Sequence, residues 1–194
     1  MKNVNGLLLL VVLIVGSTSF GSATFQAGGD RLVAMQQNDG GWDWELYDGD
    51  PTNPSPVNTV GPIAMGLAQA YLQTGDAGML TALQNAGGLL LNKTNNFSPS
   101  DGYLAVELDS ILGGTAYTDH VTANFYSALA AGTYNRNGAG TLYDTAGYVN
   151  LIRTARASQG IANLAAWDVG MGLYAAGLAG ADTSAWAAGV KAEI

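Results

Sequence analysis

The sequence predicts an all-α domain built from helical hairpins, and three observations carry that expectation. Runs rich in Ala, Gly and Leu recur with helical spacing and are closed by Gly, Pro or Asn. Strand-like alternation is weak throughout. Met65-Gly66-Leu67 and Met171-Gly172-Leu173 align without gaps, and the same offset pairs Ala70 with Ala176, Leu72 with Leu178 and Asp76 with Asp182. Stacked helical hairpins produce such internal repeats.

The first 23 residues read as a secretory signal. Lys2 gives a short positive region, Leu7 to Val15 an apolar run, and Gly21-Ser22-Ala23 a small-residue cleavage site. The run is short for a membrane span. The rival reading keeps the segment as an anchor that includes Phe20 and Phe25. Residues 24–194 then form one exported domain, secreted or extracytoplasmic, with no stable membrane span after cleavage.

Thr24 to Gln37 has a partial apolar stripe of Phe25, Leu32, Val33 and Met35. Asn38 to Val57, with Pro51, Pro54 and Pro56, reads as a long loop of the kind that is often functional. Asn58 is a candidate cap for a helix that runs to Thr74 and stops at Gly75-Asp76, with Gly61-Pro62 in its first turn. A partner follows from Ala77 to Leu91, then a polar loop from Lys93 to Asp101. Tyr103 to Leu112 reads as a short helix broken by Gly113-Gly114. Thr118 to Ala131 carries Asp119 in its first turn and Gly132 at its end. Asn135 to Gly140 is a turn, Asp144 to Ala157 a helix, Asn163 to Leu178 a long small-residue helix, and Thr183 begins another.

Gln36-Gln37-Asn38-Asp39-Gly40-Gly41-Trp42 joins the first two helices. Its glycines allow a tight reversal, Gln36 can bond backbone groups left open at a helix end, and Trp42 offers a large packing face. These residues resemble the Q-x-x-D-G-x-W repeat of squalene cyclases, protein prenyltransferases and related α/α-toroid families, with Gln36, Asp39, Gly40 and Trp42 matching. The likeness continues through Asn58 to Asp76. Secreted pectate-lyase-like α/α barrels carry a similar Q-x-x-G-G-W element. The resemblance implies an α/α-toroid in which the motif is structural. Gly and Ala crowd 59–73, 120–132 and 163–180, so these are expected as an inner ring. The helices at 24–37, 77–91, 144–157 and 183–194 are expected outside them. The helices are too few for a closed ring and the sequence ends at Ile194 in a helical stretch, so a partial toroid or a C-terminal truncation is expected.

A formal charge of −8 argues against nucleic acid as a partner, since phosphates demand a basic surface. An acidic polysaccharide would need a bridging cation. With no Cys, disulfides and thiolate metal sites are excluded. The densest candidate for ligand binding is the loop carrying Trp42, Asp43, Trp44, Glu45 and Tyr47, where aromatics beside carboxylates suit sugar stacking. Asp48, Asp50 and Asn53 have a loose Ca²⁺ spacing, without the bidentate Glu of a full calcium loop. The opposing reading makes this a solvated loop whose Trp residues staple two helices. His120, the one histidine, cannot build a multi-histidine metal site; it is a ligand-binding candidate or a capping residue. Asp168 and Asp109 sit among apolar neighbours, where a carboxylate needs partners. Asp168 is the candidate to face a central cavity, against capping or pairing with Arg153 or Arg156.

Motifs of specific toroid enzymes are missing: no D-x-D-D acid, no D-D-x-x-D pair, and no Cys for a prenyltransferase-like zinc site. The leading expectation is a scaffold or ligand-binding domain for a glycan or small apolar ligand. The alternative is a polysaccharide-lyase-like or terpene-cyclase-like enzyme whose catalytic residues lie outside this sequence. Asn92-Lys93-Thr94 and Asn96-Phe97-Ser98 match glycosylation sequons.

Overall fold

The computed structural model describes residues 21–44 and 49–157, together with Ser184. The described residues are predominantly helical. Helix α1 covers 21–34, and α2 (Val60–Thr74), α3 (Ala77–Asn92) and α4 (Ser100–Leu112) follow. Next comes α5 (Ala116–Val121), which runs through a π-turn at Thr122–Tyr126 into α6 (Ser127–Ala130). Strands β1 (Tyr134–Asn135) and β2 (Leu142–Tyr143) flank a short 3₁₀ turn and precede α7 (Thr145–Ala157). The helices predicted at 163–178 and from 183, and the second half of the internal repeat, lie outside the described residues. No helix among the described residues is long and apolar enough to cross a membrane.

The α2–α3 junction follows from two residues. Gly75 takes φ 70° and its N–H bonds to the Tyr71 carbonyl, closing α2 with a left-handed cap. Asp76 then accepts hydrogen bonds from the Gly78 and Met79 N–H groups and opens α3. The amide of Gln26 donates to the same carboxylate (3.1 Å), tying α1 to this junction. At the end of α4, Gly113 accepts the chain reversal. Asp109, in the last turn of α4, caps α5 by accepting from Tyr117 N (3.1 Å) and Thr118 N (2.8 Å). Asp144 opens α7 in the same way, accepting from Gly147 N.

Three expectations are corrected. Asn58 does not cap α2: Thr59 occupies the N-cap position, and its hydroxyl donates to the Trp42 and Pro56 carbonyls instead. Helix α4 starts at Ser100, three residues before the expected Tyr103. The turn at 135–140 carries a two-stranded antiparallel ribbon, pairing Tyr134 with Tyr143 and Asn135 with Leu142. Two residues per strand are too few to leave a period-two pattern.

Helix α2 packs on α3 and α4, α3 packs on α5 as well, and α4 packs on α5. The element beside α2 in the next hairpin is α4. Single glycines allow the close approach at two of these contacts. A Cβ at Gly61 of α2 would overlap the Ser100 hydroxyl of α4, and one at Gly87 of α3 would lie 2.7 Å from the Tyr117 ring. The core between the helices holds Trp42, Leu67, Leu83, Leu90, Leu104, Leu108 and Phe125, all buried.

The Asp76 cap generates a pH-dependent prediction. The Met79 N–H and then the Gln26 amide hold its carboxyl below the usual carboxylate range, with burial opposing weakly. A depressed folded-state pKa contributes stability that is present above the unfolded pKa and is lost as pH falls through the folded value. Asp76→Ala is expected to lower the urea midpoint at pH 7, with the gap to wild type narrowing on acidification below pH about 4. A gap that stays constant down to pH about 2 would remove the charged cap from the account.

Candidate functional site

The corner at 36–42 is built from backbone contacts too close for most side chains. Gly40 takes φ 94°, and a Cβ there would strike the Asn85 carbonyl of α3. The Gln36 amide donates to Gly40 O (2.8 Å) and to Ala82 O of α3 (2.7 Å), while its oxygen accepts from Asn85 Nδ2 (3.2 Å). Asp39 folds the following loop back, accepting from Gly41 N, Ser55 N and the Ser55 hydroxyl. Trp42 is fully buried, and its indole N–H donates to Leu32 O of α1 at 2.8 Å. Its carbonyl receives the Thr59 hydroxyl at the start of α2. This one residue touches the end of α1 through its indole and the beginning of α2 through its carbonyl, and its ring lies in the core.

The neighbouring loop is open to solvent. Trp44 is 61% exposed, and the Asp43 carboxylate accepts from the Trp44 N–H. Glu45, Tyr47 and Asp48 lie outside the described residues. Asp50 accepts from the Thr52 hydroxyl and N–H. Those two bonds, the hydroxyl first, hold its carboxyl below the usual range. The Asn53 N–H approaches Asp50 O at 3.5 Å. Among the described residues no group of three or more His, Cys, Asp or Glu side chains stands ready to hold a metal ion. Asn38 N donates to Pro51 O (2.8 Å), so the loop returns to the corner from which it leaves.

A second polar centre, missed in the sequence, lies under the α3–α4 loop. Lys93 Nζ meets Asp101 Oδ2 at 2.7 Å; the Asp101 side chain is completely buried and that of Lys93 is 12% exposed. Asp101, in the first turn of α4, also reaches back to accept from Ser98 N (2.8 Å), just ahead of the helix. Burial pushes the Asp101 carboxyl up, against the pull of the Lys93 charge and hydrogen bond and of the Ser98 N–H. The legible signal was Ser98-Pro99-Ser100-Asp101, a helix-start pattern that places Asp101 in the first turn. That Lys93 would be drawn inside with it is not visible in the sequence.

His120 faces the same loop. Its Nε2 lies 2.7 Å from Lys93 O, and because a carbonyl only accepts, this nitrogen carries the proton. Nδ1 is left toward the Asn124 amide at 3.4 Å. Both ring nitrogens face groups of this chain. Phe97, also in the loop, is held by two tyrosines: its N–H donates to the Tyr134 hydroxyl (2.7 Å), and its carbonyl accepts from that of Tyr148 (3.1 Å). Its ring stacks on Phe125 with centroids 5.5 Å apart. Burial drives the Tyr134 hydroxyl up to about 12, with the Asp101 charge adding to the shift and the Phe97 N–H and Arg136 opposing it. Asp109 is spent on capping α5. Asp168 lies outside the described residues, as do the side chains of Arg153 and Arg156.

Two predictions follow from this geometry. Trp42→Ala should cost about 3–5 kcal/mol in chemical unfolding, whereas Trp44→Ala should leave the midpoint within about 0.5 kcal/mol. Equal losses would show that the two rings share one environment. Asp101→Ala should cost about 3–5 kcal/mol by stranding Lys93, and Lys93→Met combined with Asp101→Leu should recover most of it. A double variant as unstable as Asp101→Ala would mean that the pair itself, and not the stranded charge, carries the stability.

The chain matches no protein-family model, no curated protein and no solved structure, so its functional reading rests on its own residues.

Proposed function

We propose that the chain is an exported helical scaffold of the α/α-toroid type that binds a glycan through the loop following its first corner, without catalysing a reaction on it. The observation that carries the reading is the division of labour between adjacent tryptophans. Trp42 is consumed by the corner and Trp44 presents its face to solvent. A broad aromatic face beside a carboxylate, here Trp44 beside Asp43, suits a sugar ring, whose C–H face stacks on the indole while hydroxyls reach the carboxylate.

The toroid reading is supported by the way neighbours alternate: α2 packs on α3 and also on α4, and α3 packs on α5. A two-layer helical array has this pattern, each helix touching the next in sequence and the next in its own layer. The Q-x-x-D-G-x-W residues are all engaged in closing the corner, which agrees with their role in the families they resemble and leaves the adjoining loop for the ligand. Asp50 and Asn53, with Asp48, are the residues assigned to a bridging Ca²⁺.

A glycan array probed with the exported protein, with and without Ca²⁺, tests this. Binding to a defined set of neutral or acidic glycans is expected, and Trp44→Ala should weaken it at least about tenfold with unchanged thermal stability. If a cation bridges the ligand, millimolar Ca²⁺ raises the melting temperature of wild type and not of Asp50→Asn. Glycan binding undiminished in Trp44→Ala would overturn the assignment of this loop.

A further inference from the structure

Lys93 and Asp101 close the α3–α4 loop by a contact with unusual surroundings. The nitrogen and the carboxyl oxygen are 2.7 Å apart, with the acid fully buried and the lysine nearly so. Oδ2 takes both Lys93 Nζ and Ser98 N, while the buried Oδ1 has no hydrogen-bond partner. The intervening loop is clamped at Phe97 by Tyr134 and Tyr148 and stacked on Phe125. The sequence has no Cys, so no disulfide can secure this or any other loop.

Away from water, two full charges and their neutral counterparts draw close in energy, because desolvation penalises both ions and one proton transfer removes both. Passing a proton along the contact turns the ammonium into a nucleophilic amine and the carboxylate into a carboxylic acid. The amine nitrogen then lies 2.7 Å from an oxygen of the carboxyl group, and the fold has already met much of the entropic cost of bringing the two groups together. The elevated Asp101 carboxyl is displaced toward the same neutral form.

We propose that Lys93 and Asp101 condense to an intramolecular isopeptide bond that closes the α3–α4 loop covalently. The ammonium of Lys93 gives one proton to Oδ2. The free amine attacks Cγ and the Nζ–Cγ bond forms. A second proton passes from nitrogen to Oδ2, the Cγ–Oδ2 bond breaks, and one water leaves. Nothing is oxidised or reduced, and no co-reactant enters. The product replaces a buried ion pair by a neutral amide, and Oδ1, an unpaired carboxylate oxygen beforehand, becomes an uncharged carbonyl oxygen, which costs less to leave unpaired.

Mass spectrometry of the full-length protein after denaturation and trypsin digestion decides the matter. Trypsin should cut after Arg31 and Arg136 but not after Lys93, giving one peptide covering 32–136 that is lighter than its sequence mass by one water. Fragmentation should place the loss on a Lys93–Asp101 crosslink. In Lys93→Arg, which keeps the charge but has no primary amine, peptides 32–93 and 94–136 should separate at full mass. Should that variant fail to fold, the wild-type digest still decides. Separate wild-type peptides of full mass would overturn the proposal and leave a buried ion pair only.

Discussion

Gly40 has to bring its backbone against the Asn85 carbonyl in the middle of α3, and most of the first corner is arranged around that close approach. No side chain can occupy the contact, so the cohesion it lacks is supplied from either side. Gln36 binds carbonyls of the corner and of α3 together, and Trp42 fills the space beneath with its indole N–H on Leu32 O. Thr59 then takes the Trp42 carbonyl and fixes where α2 begins. The orientation of α1, α2 and α3 relative to one another is thus set by short backbone contacts and one aromatic side chain. Charge contributes little, for only 11% of residues are charged and exposed pairs contribute little stability in any case.

The second loop solves a similar problem with different chemistry. Phe97 is buried like Trp42, but its own backbone is what the neighbours hold, through the hydroxyls of Tyr134 and Tyr148. Lys93 and Asp101 lie beside it as an ion pair inside the protein. A pair of this kind is weak evidence for stability, since desolvation can exceed the Coulombic gain. Removing one partner is costlier than the pair's net contribution, because it strands a buried charge. The π-turn at Thr122–Tyr126 belongs to the same region, placing Phe125 and Tyr126 in the core and Asn124 against His120.

Much of the fold was legible because its punctuation is local. Gly75-Asp76, Gly113-Gly114 and Gly132 each end or begin an element by their own backbone preferences, and they fall where expected. Asn58 and Thr59 show the limit of that reading. Both are good cap residues, and the Trp42 carbonyl, seventeen residues earlier, decided which stands at the helix start and what its hydroxyl does. Tyr134 and Tyr143 pair across a turn too short to leave a periodic signal. At the candidate site, the exposed position of Trp44 and the buried position of Trp42 could not be separated by residue type. Lys93 looked like a loop residue because it stands in a polar run, Asn92 to Asn96, and its buried partner Asp101 lies eight residues further on.

If the corner holds the helices in place, it cannot open without them. Native-state hydrogen exchange at the Trp42 indole N–H, compared with the core amides of α3 at Leu83 and Leu90, reads this directly. The account predicts that the indole proton exchanges with the same opening free energy and denaturant dependence as those amides, by global unfolding alone. An indole proton that exchanges through a low-energy local opening, while α3 stays protected, would contradict it.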